Sequence, residues 1–239
     1  MSKSGINGTD MPGTLRTFSD RRDAECFLAG FMEGVLRLQL EQDVHAGMLI
    51  TSGAVPATVL DLLSRADLDW TRIDVGLVDE VWVEQSHPRS RAGQLVRTLF
   101  QNQAASAHFL PMKTPDETAE AGAERLQGRY GRLMDLGPMV LLDLDTRGQT
   151  AAWVPKGGDW DLFLDPENEH AVAALEPPVG DDRLERVSVT GRALDAASVG
   201  LLYITGDEAR RLFENRQARL PIHVAEEILG ERLVTVWAP

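Results

Sequence analysis

The stretch that decides the fold is Ile73–Phe100, which reads IDVGLVDEVWVEQSHPRSRAGQLVRTLF. Its apolar run Val75–Val78 has the length of a buried strand and stops at two carboxylates, Asp79 and Glu80. Spaced apolar residues after the next loop predict a helix. In an open α/β sheet, ligands bind beyond the carboxyl ends of the strands, so the acidic pair marks a candidate site. Two interpretations of Asp79 stay open: a functional carboxylate, or a residue that only caps a turn beside a solvent-facing Glu80.

Outside this stretch, the chain alternates strands and helices in the same manner. Apolar runs that start at Met48, Met139, Val199 and Leu233 predict strands, and helical patterns lie between them. This alternation predicts an α/β fold with a doubly wound, mainly parallel sheet, Rossmann-like and flanked by helices. The segment 186–190 alternates as a half-buried strand does.

Length and composition favour one domain behind a short tail. The chain has 239 residues, of which 43% are hydrophobic, so it can bury a sizeable core. Residues 1–16 are small and polar, which predicts a disordered N-terminal tail followed by a single domain over 17–239. A helix is expected from Ser19 or Asp20 to about Leu40, and Cys26 within it is predicted to be a small core residue.

Charge and cysteine content exclude several classes of partner. The net charge is −13, from 37 acidic and 24 basic residues, and such a surface repels nucleic acid and anionic membranes. One cysteine excludes an internal disulfide and a cysteine-based zinc site. The sequence contains no run of about 18 apolar residues and no apolar signal-peptide core, so we expect neither a membrane span nor export. We therefore expect a cytoplasmic protein. An anionic ligand would need local arginines, lysines and backbone N–H groups.

One loop has the composition of an anion cradle. Thr51, Ser52, Gly53 and Ala54 follow a predicted strand and precede a predicted helix that starts near Pro56. Backbone N–H groups at such a turn face a bound anion. Turns of this kind are common in α/β proteins, so the loop by itself identifies no ligand.

Four segments, two of them described above, carry a resemblance to a known family. The loop above corresponds to that family's S-G-G-S-T-P, and the residues from Asp79 to Phe100 correspond to D-E-R-W-V-P-x-D-H-P-D-S-N-Y-G-x-V-R-x-x-L-L. The matches to its L-L-G-M-G-x-D-G-H-T-A-S-L-F-P are Leu141, Leu142, Gly148, Thr150, Ala151 and Pro155. Its R-I-T-L-T-L-P-A-L corresponds to 186–194. In this wording and order the chain resembles the 6-phosphogluconolactonases, which are related to the glucosamine-6-phosphate deaminases.

The resemblance implies an activity and a set of site residues. It implies hydrolysis of 6-phospho-D-glucono-1,5-lactone to 6-phosphogluconate in the pentose phosphate pathway, with a small sugar phosphate as the ligand and no cofactor or metal. It places Asp79 in the catalytic group. The expected phosphate contacts are residues 51–54 and Arg186, because an arginine beside backbone donors makes a suitable phosphate clamp. The alternative for Arg186 is a surface arginine paired with an acid.

Several motif positions depart from the family wording. The family's catalytic histidine is replaced by Gln149, whose neutral amide cannot accept a proton near pH 7. General-base assistance is worth about 10²–10⁴ in rate. Val81 stands where the family has an arginine, and Arg91 where it has an asparagine. Ala209 replaces a lysine, so Arg91 or the neighbouring Arg210 is a candidate for the missing phosphate contact.

Three changes fall in the loop that holds Gln149. Asp143 and Asp145 replace two glycines of the family motif, and Arg147 replaces its aspartate. Because aspartate tolerates a positive φ less readily than glycine, the loop is expected to change shape as well as charge. A hard cation held by these acids together with Asp79 and Glu80 is disfavoured, since strand ends in α/β proteins commonly carry aspartate. His45 and His108 have no assigned chemistry.

Three functions are compatible with these residues. In the first, the chain is a lactone hydrolase in which Asp79, or a water held by Gln149, replaces the usual histidine. In the second, catalysis is impaired and the protein is a sugar-phosphate-binding or regulatory protein. In the third, it is an isomerase or deaminase of the neighbouring branch, which the wording of Thr150–Pro155 disfavours.

Overall fold

The structure is a computed structural model that describes residues 15–51, 56–155, 160–175 and 184–239. The strands, numbered in chain order from β1 to β10, are Leu15–Thr17, Ala46–Ile50, Ile73–Leu77, Asp79–Val81, His108–Leu110, Met139–Leu144, Val172–Leu175, Arg186–Val189, Val199–Thr205 and Leu233–Ala238. The α-helices, numbered from α1 to α8, are Arg21–Gln42, Ala57–Ser64, Arg91–Thr98, Ala119–Asp135, Trp160–Phe163, Gly191–Ala196, Gly206–Glu214 and Pro221–Leu229.

Seven strands form a parallel sheet in the order β1-β10-β9-β6-β2-β3-β5. The central strands β2 and β6 are buried along their whole length because helices cover both faces. This architecture confirms the predicted α/β class and its mainly parallel sheet. Among the described residues, no helix is long and apolar enough to cross a bilayer.

A second, antiparallel sheet of three strands in the order β4-β8-β7 was not predicted. The strand β8 lies in its centre and all four of its residues are buried, so the expectation of a half-buried strand was wrong. The chain enters this sheet directly from β3, since only Val78 separates β3 from β4.

The N-terminal boundary and Cys26 also differ from expectation. Leu15 and Arg16, which the sequence assigned to the tail, belong to β1, because their backbones pair in parallel with β10. The start of α1 agrees with the prediction, since the side chain of Asp20 accepts a hydrogen bond from the N–H of Arg22 and caps the helix. Cys26 is exposed rather than in the core, because the helix buries the opposite face, which carries Leu28 and other apolar residues.

Candidate active site

Val78 joins the two sheets at the point where β2 and β3 end. Its N–H donates to the carbonyl of Ile50 (3.0 Å), and its own carbonyl accepts from the N–H of Val189 (2.8 Å). Thr51 follows directly after Ile50, and Asp79 follows directly after Val78. The backbone therefore brings the start of the 51–54 loop, the acid of β4 and the strand β8 to the carboxyl edge of the main sheet, where ligands of such sheets bind.

Asp79 is completely buried and forms an ion pair with Arg91. The distance between Arg91 Nε and Asp79 Oδ2 is 2.7 Å. Arg91 is the first residue of α3, and the start of this helix is fixed by Glu80, whose carboxylate accepts the N–H groups of Arg91 and Ala92 at 2.8 Å each. Ser90 completes the cap by accepting from the N–H of Gly93. The two adjacent acids thus have different tasks: Glu80 anchors the helix, and Asp79 meets the guanidinium that the helix presents.

Arg186 approaches the same carboxylate across the small sheet. Asp79 pairs with Ser188, and Val81 pairs with Arg186, so all four side chains project from one face. Arg186 is nearly inaccessible to solvent. The family has an arginine at the position of Val81, directly opposite Arg186. Here Arg91 contacts Asp79 from α3, so Arg91 supplies a positive charge next to the acid, whereas Val81 supplies none.

A second acid, Asp143, completes a cluster of four charges. Asp143 lies near the end of β6, is buried, and interacts electrostatically with both Asp79 and Arg91. Burial raises the pKa of Asp79; the Arg91 guanidinium opposes this shift, Asp143 adds to it, and Arg186 opposes it. The cluster of Asp79, Asp143, Arg91 and Arg186, called the charge cluster below, contains two acids and two arginines and is formally neutral.

Gln149 belongs to a tight turn that follows β6. Its side-chain Nε2 donates to the carbonyl of Ala151 (2.8 Å), and its Oε1 accepts from Arg147 (3.3 Å). The carboxylate of Asp145 accepts the N–H groups of Arg147 and Gln149 (2.8 and 2.9 Å). The polar atoms of the Gln149 side chain are therefore engaged within the turn, which leaves a water-holding role without structural support.

The two glycine replacements do not strain this region of the backbone. Neither Asp143 nor Asp145 has a positive φ. The left-handed positions are Gly148, with φ of 78°, and Ala151, with φ of 51°. Side-chain hydrogen bonds to Asp145 hold this turn without a positive φ at either aspartate, and a change of loop shape relative to the family stays a prediction.

Apart from Arg210, the predicted phosphate residues divide into three groups. Arg186 lies in the charge cluster, as described. Thr51 lies beside it, but its N–H and its hydroxyl both donate to the carbonyl of Leu141 (3.0 and 2.9 Å), so neither donor is directed at a ligand. Ser52, Gly53 and Ala54 lie outside the described residues, and their phosphate role remains a prediction from the sequence.

Arg210 is directed away from this edge of the site. Its Nε donates to Glu214 at 2.7 Å, and its guanidinium stacks over Trp237 of β10 at 4.5 Å. The neighbouring Ala209 is buried against the core. Successive helical side chains do not face the same way, so Arg210 cannot take the direction of the lysine that Ala209 replaces. The structure does not bring Arg210 to the charge cluster, whereas it does bring Arg91 there.

A separate groove of about 530 Å³ runs between α4 and β7. Its walls include Glu120, Glu124 and Glu185. Carboxylates of this kind repel a phosphorylated sugar, so the charge cluster is the better candidate for an anionic ligand.

Comparison with known proteins shows the family of the chain. Residues 20–234 match the family described as glucosamine-6-phosphate isomerases/6-phosphogluconolactonase. The chain belongs to this family. A 6-phosphogluconolactonase of Pseudomonas aeruginosa is 32% identical over 179 residues, which cover 75% of this chain and 74% of that protein. A 6-phosphogluconolactonase of Mesorhizobium japonicum is 28% identical over the full length of both chains.

Comparison with solved structures shows that the chain has the fold of this family. The crystal structure of a 6-phosphogluconolactonase from Shewanella baltica superposes with a TM-score of 0.82 at 23% identity, covering 96% of this chain and 100% of that one. The resemblance drawn from the motifs is therefore confirmed for membership of the 6-phosphogluconolactonase family and for its fold.

The sequence predicts Arg91 as a candidate phosphate contact and Asp143 as a change of loop shape, with a cation site of Asp79 and Asp143 disfavoured. It does not predict the ion pair between Arg91 and Asp79 or the electrostatic interaction of Asp143 with both residues. The available signal was the sign of the changes. A new acid near the end of β6 and a new base at the start of α3, both at motif positions, suggest a compensating pair.

Proposed function

We propose that the protein hydrolyses 6-phospho-D-glucono-1,5-lactone to 6-phosphogluconate, as a cytoplasmic enzyme of the pentose phosphate pathway. Family membership and relatives that are 6-phosphogluconolactonases support the reaction. The observation that carries the proposal is the buried carboxylate of Asp79 held between Arg91 and Arg186 at the carboxyl edge of the sheet.

The reaction has three chemical requirements. The oxygen of a water molecule forms a bond to the lactone carbonyl carbon, and the bond from that carbon to the ring oxygen breaks. One water proton goes to a protein base, the ring oxygen leaves as a hydroxyl by taking up a proton, and the new carboxyl group releases its proton to solvent. A site must therefore supply a base, positive charge for the developing oxyanion, and a cradle for the phosphate.

Asp79 is our candidate for the base. Burial raises the pKa of Asp79, and a carboxylate with a raised pKa is a better proton acceptor than an ordinary aspartate. Arg91 acts as a positioning residue because it holds this carboxylate from one side. The neutral amide of Gln149 cannot accept a proton near pH 7, and it is engaged within its own turn.

Arg186 is our candidate for the phosphate or the developing oxyanion. It is the second guanidinium near Asp79, and it projects from the same face of the small sheet. The phosphate dianion needs local positive charge, because the protein carries a net charge of −13. The 51–54 loop begins beside this point and would add backbone donors from Ser52, Gly53 and Ala54.

A lactonase assay coupled to NADP reduction at the next step tests the proposal, with the spontaneous rate subtracted. We expect the wild type to exceed the spontaneous rate and Asp79→Asn to lose about 10²-fold or more. Gln149→Ala should stay within a few-fold of wild type. Asp74→Asn is the matched control, because Asp74 lies at the other end of the β3 segment. Circular dichroism confirms that each variant is folded.

Two outcomes would refute this assignment. If the wild type matches the spontaneous rate while Gln149→His restores turnover, the protein is not an enzyme in its present form. If the wild type is active and Asp79→Asn is equally active, the base lies elsewhere. Binding is tested separately by thermal-shift titration with 6-phosphogluconate, where an Arg186→Met variant should lose the shift that the wild type shows.

A further inference from the structure

Three potential metal ligands meet at the edge of the main sheet opposite the charge cluster. His45 precedes β2, Asp74 lies near the start of β3, and His108 begins β5. One ligand atom from each lies within 4.8 Å of the other two. His108 Nδ1 is 3.1 Å from Asp74 Oδ1, and the two imidazole rings have centroids 6.3 Å apart.

The parallel register explains why distant residues converge here. Asp74 pairs with Gly47 on one side and with His108 on the other, and paired residues of a parallel sheet project from the same face. His45 stands two residues before Gly47, so it is directed to that face as well. Sequence spacing hides the cluster, since Asp74 and His108 are 34 residues apart.

The cluster has the donor chemistry of a transition-metal site. Two imidazoles and one carboxylate suit zinc, nickel, cobalt or iron, whereas calcium and magnesium prefer oxygen ligands alone. Zn–N bonds of about 2.0–2.1 Å place tetrahedral ligand atoms about 3.3 Å apart, so separations of up to 4.8 Å need to shorten by up to about 1.5 Å. His45 and Asp74 are partly buried and His108 is exposed, so the side chains can make this adjustment by rotation.

Two features show that the cluster is more than a surface coincidence. His45 Nδ1 is buried and, within the described chain, has no hydrogen-bond partner, which is costly for an imidazole nitrogen unless a ligand satisfies it. Arg72 donates to the carbonyls of Leu40, Asp43 and Val44, which fixes the backbone immediately before His45. One ligand is thus held in place by the fold.

We propose that His45, Asp74 and His108 form a binding site for a divalent transition-metal ion, with Zn²⁺ as the probe of choice. The ion would join the starts of three neighbouring strands, and water would occupy the remaining coordination position. The site is independent of the proposed lactonase reaction, since it lies at the opposite end of the strands.

The test uses the full chain after dialysis against a chelator. Isothermal titration with ZnCl₂ should show one saturable site in the wild type. At a concentration about one hundredfold above Kd, the Tm should rise by about 5 °C or more. CoCl₂ should give visible absorption bands typical of a low-coordinate site. MgCl₂ should leave the Tm unchanged.

Variants separate this site from other zinc ligands. His45→Ala, His108→Ala and Asp74→Asn should each weaken binding at least tenfold. His170→Ala removes an exposed histidine elsewhere, and Cys26→Ser removes the exposed thiol, so both should bind as the wild type does. Circular dichroism of each metal-free variant confirms folding.

The proposal is overturned if the wild type shows no saturable binding at 100 µM Zn²⁺, a concentration chosen as about the upper limit for a specific site. It is equally overturned if His108→Ala and His45→Ala bind with unchanged affinity, or if Cys26→Ser is the variant that abolishes binding.

Discussion

Replacing Arg91 by methionine should be strongly destabilising, and the cost should depend on Asp143. Methionine preserves most of the side-chain length but leaves Asp79, which is fully buried, without its 2.7 Å partner. Removing one member of a buried ion pair costs about 3–5 kcal/mol. Here the cost includes repulsion between Asp79 and Asp143, because Arg186 is then the one guanidinium of the charge cluster that remains.

Asp143→Asn tests that repulsion directly. In the Arg91→Met background it removes one of the two acids of the charge cluster and thus their mutual repulsion, so it should recover about 1–3 kcal/mol of unfolding free energy. In the wild-type background it gains little, since Arg91 already offsets Asp143. The two substitutions should therefore be non-additive, and Arg91→Met should be less costly in the double variant.

Urea denaturation at pH 7, followed by circular dichroism, measures all four corners of this cycle. Arg97→Met is the control, because Arg97 is exposed on the same helix and its loss should change stability by no more than about 0.5 kcal/mol. Additivity of Arg91→Met and Asp143→Asn within about 0.5 kcal/mol would show that the two residues do not interact and would refute the charge cluster.

Three further predictions concern the surroundings of the site. Tyr130→Phe should cost about 1–3 kcal/mol in urea denaturation, because the hydroxyl accepts a backbone N–H of β3 and donates to a carbonyl of β5, both of which would be left unsatisfied. Gly122→Ala should destabilise α4, since a Cβ there would lie 1.9 Å from the ring of Trp82. A Cβ at Gly128 on the same helix meets nothing within 4 Å, so Gly128→Ala should stabilise the protein by about 0.5–1 kcal/mol. Equal effects of the two variants in thermal denaturation would contradict this. Burial raises the pKa of Asp79, so the folded state binds the proton of this carboxyl group more tightly than the unfolded state does. The resulting stability is present below the unfolded pKa of about 3.9 and is lost as the pH rises through the folded pKa. Asp79→Asn should therefore gain stability relative to the wild type as pH rises from 4, and a constant difference across stepped-pH urea titrations would rule this out.

The sequence predicts the main sheet well because its signal is local. The buried runs that became β2, β3, β6 and β9 are continuous and apolar, as strands covered on both faces must be. The small sheet was missed for the opposite reason. Its strand β4 reads Asp-Glu-Val, and only pairing with β8 makes it a strand, so no local pattern identifies it.

The sequence predicts two of the residues that the structure brings together, but not the interactions between them. Asp79 and Arg186 were identified from the family wording, and the register of β4 with β8 does bring them to one face. The pairing of Asp79 with Arg91 depends on the direction of α3, which Glu80 fixes through two backbone N–H groups. Side-chain reach and helix direction are tertiary properties, so sequence spacing alone could not decide between Arg91 and Arg210 as the replacement cation.

The charge balance of the cluster favours a working site over a retired one. Relative to the family wording, Val81 removes a positive charge and Asp143 adds a negative one, while Arg91 restores a positive charge next to Asp79. Buried ion pairs contribute little net stability, and well-packed apolar residues of similar volume are often as stable or more so. Packing alone would therefore be served as well by apolar side chains at these positions. Two buried acids matched by two arginines lie at the carboxyl edge of the sheet, where ligands of such sheets bind, so a functional role explains their retention better than packing does.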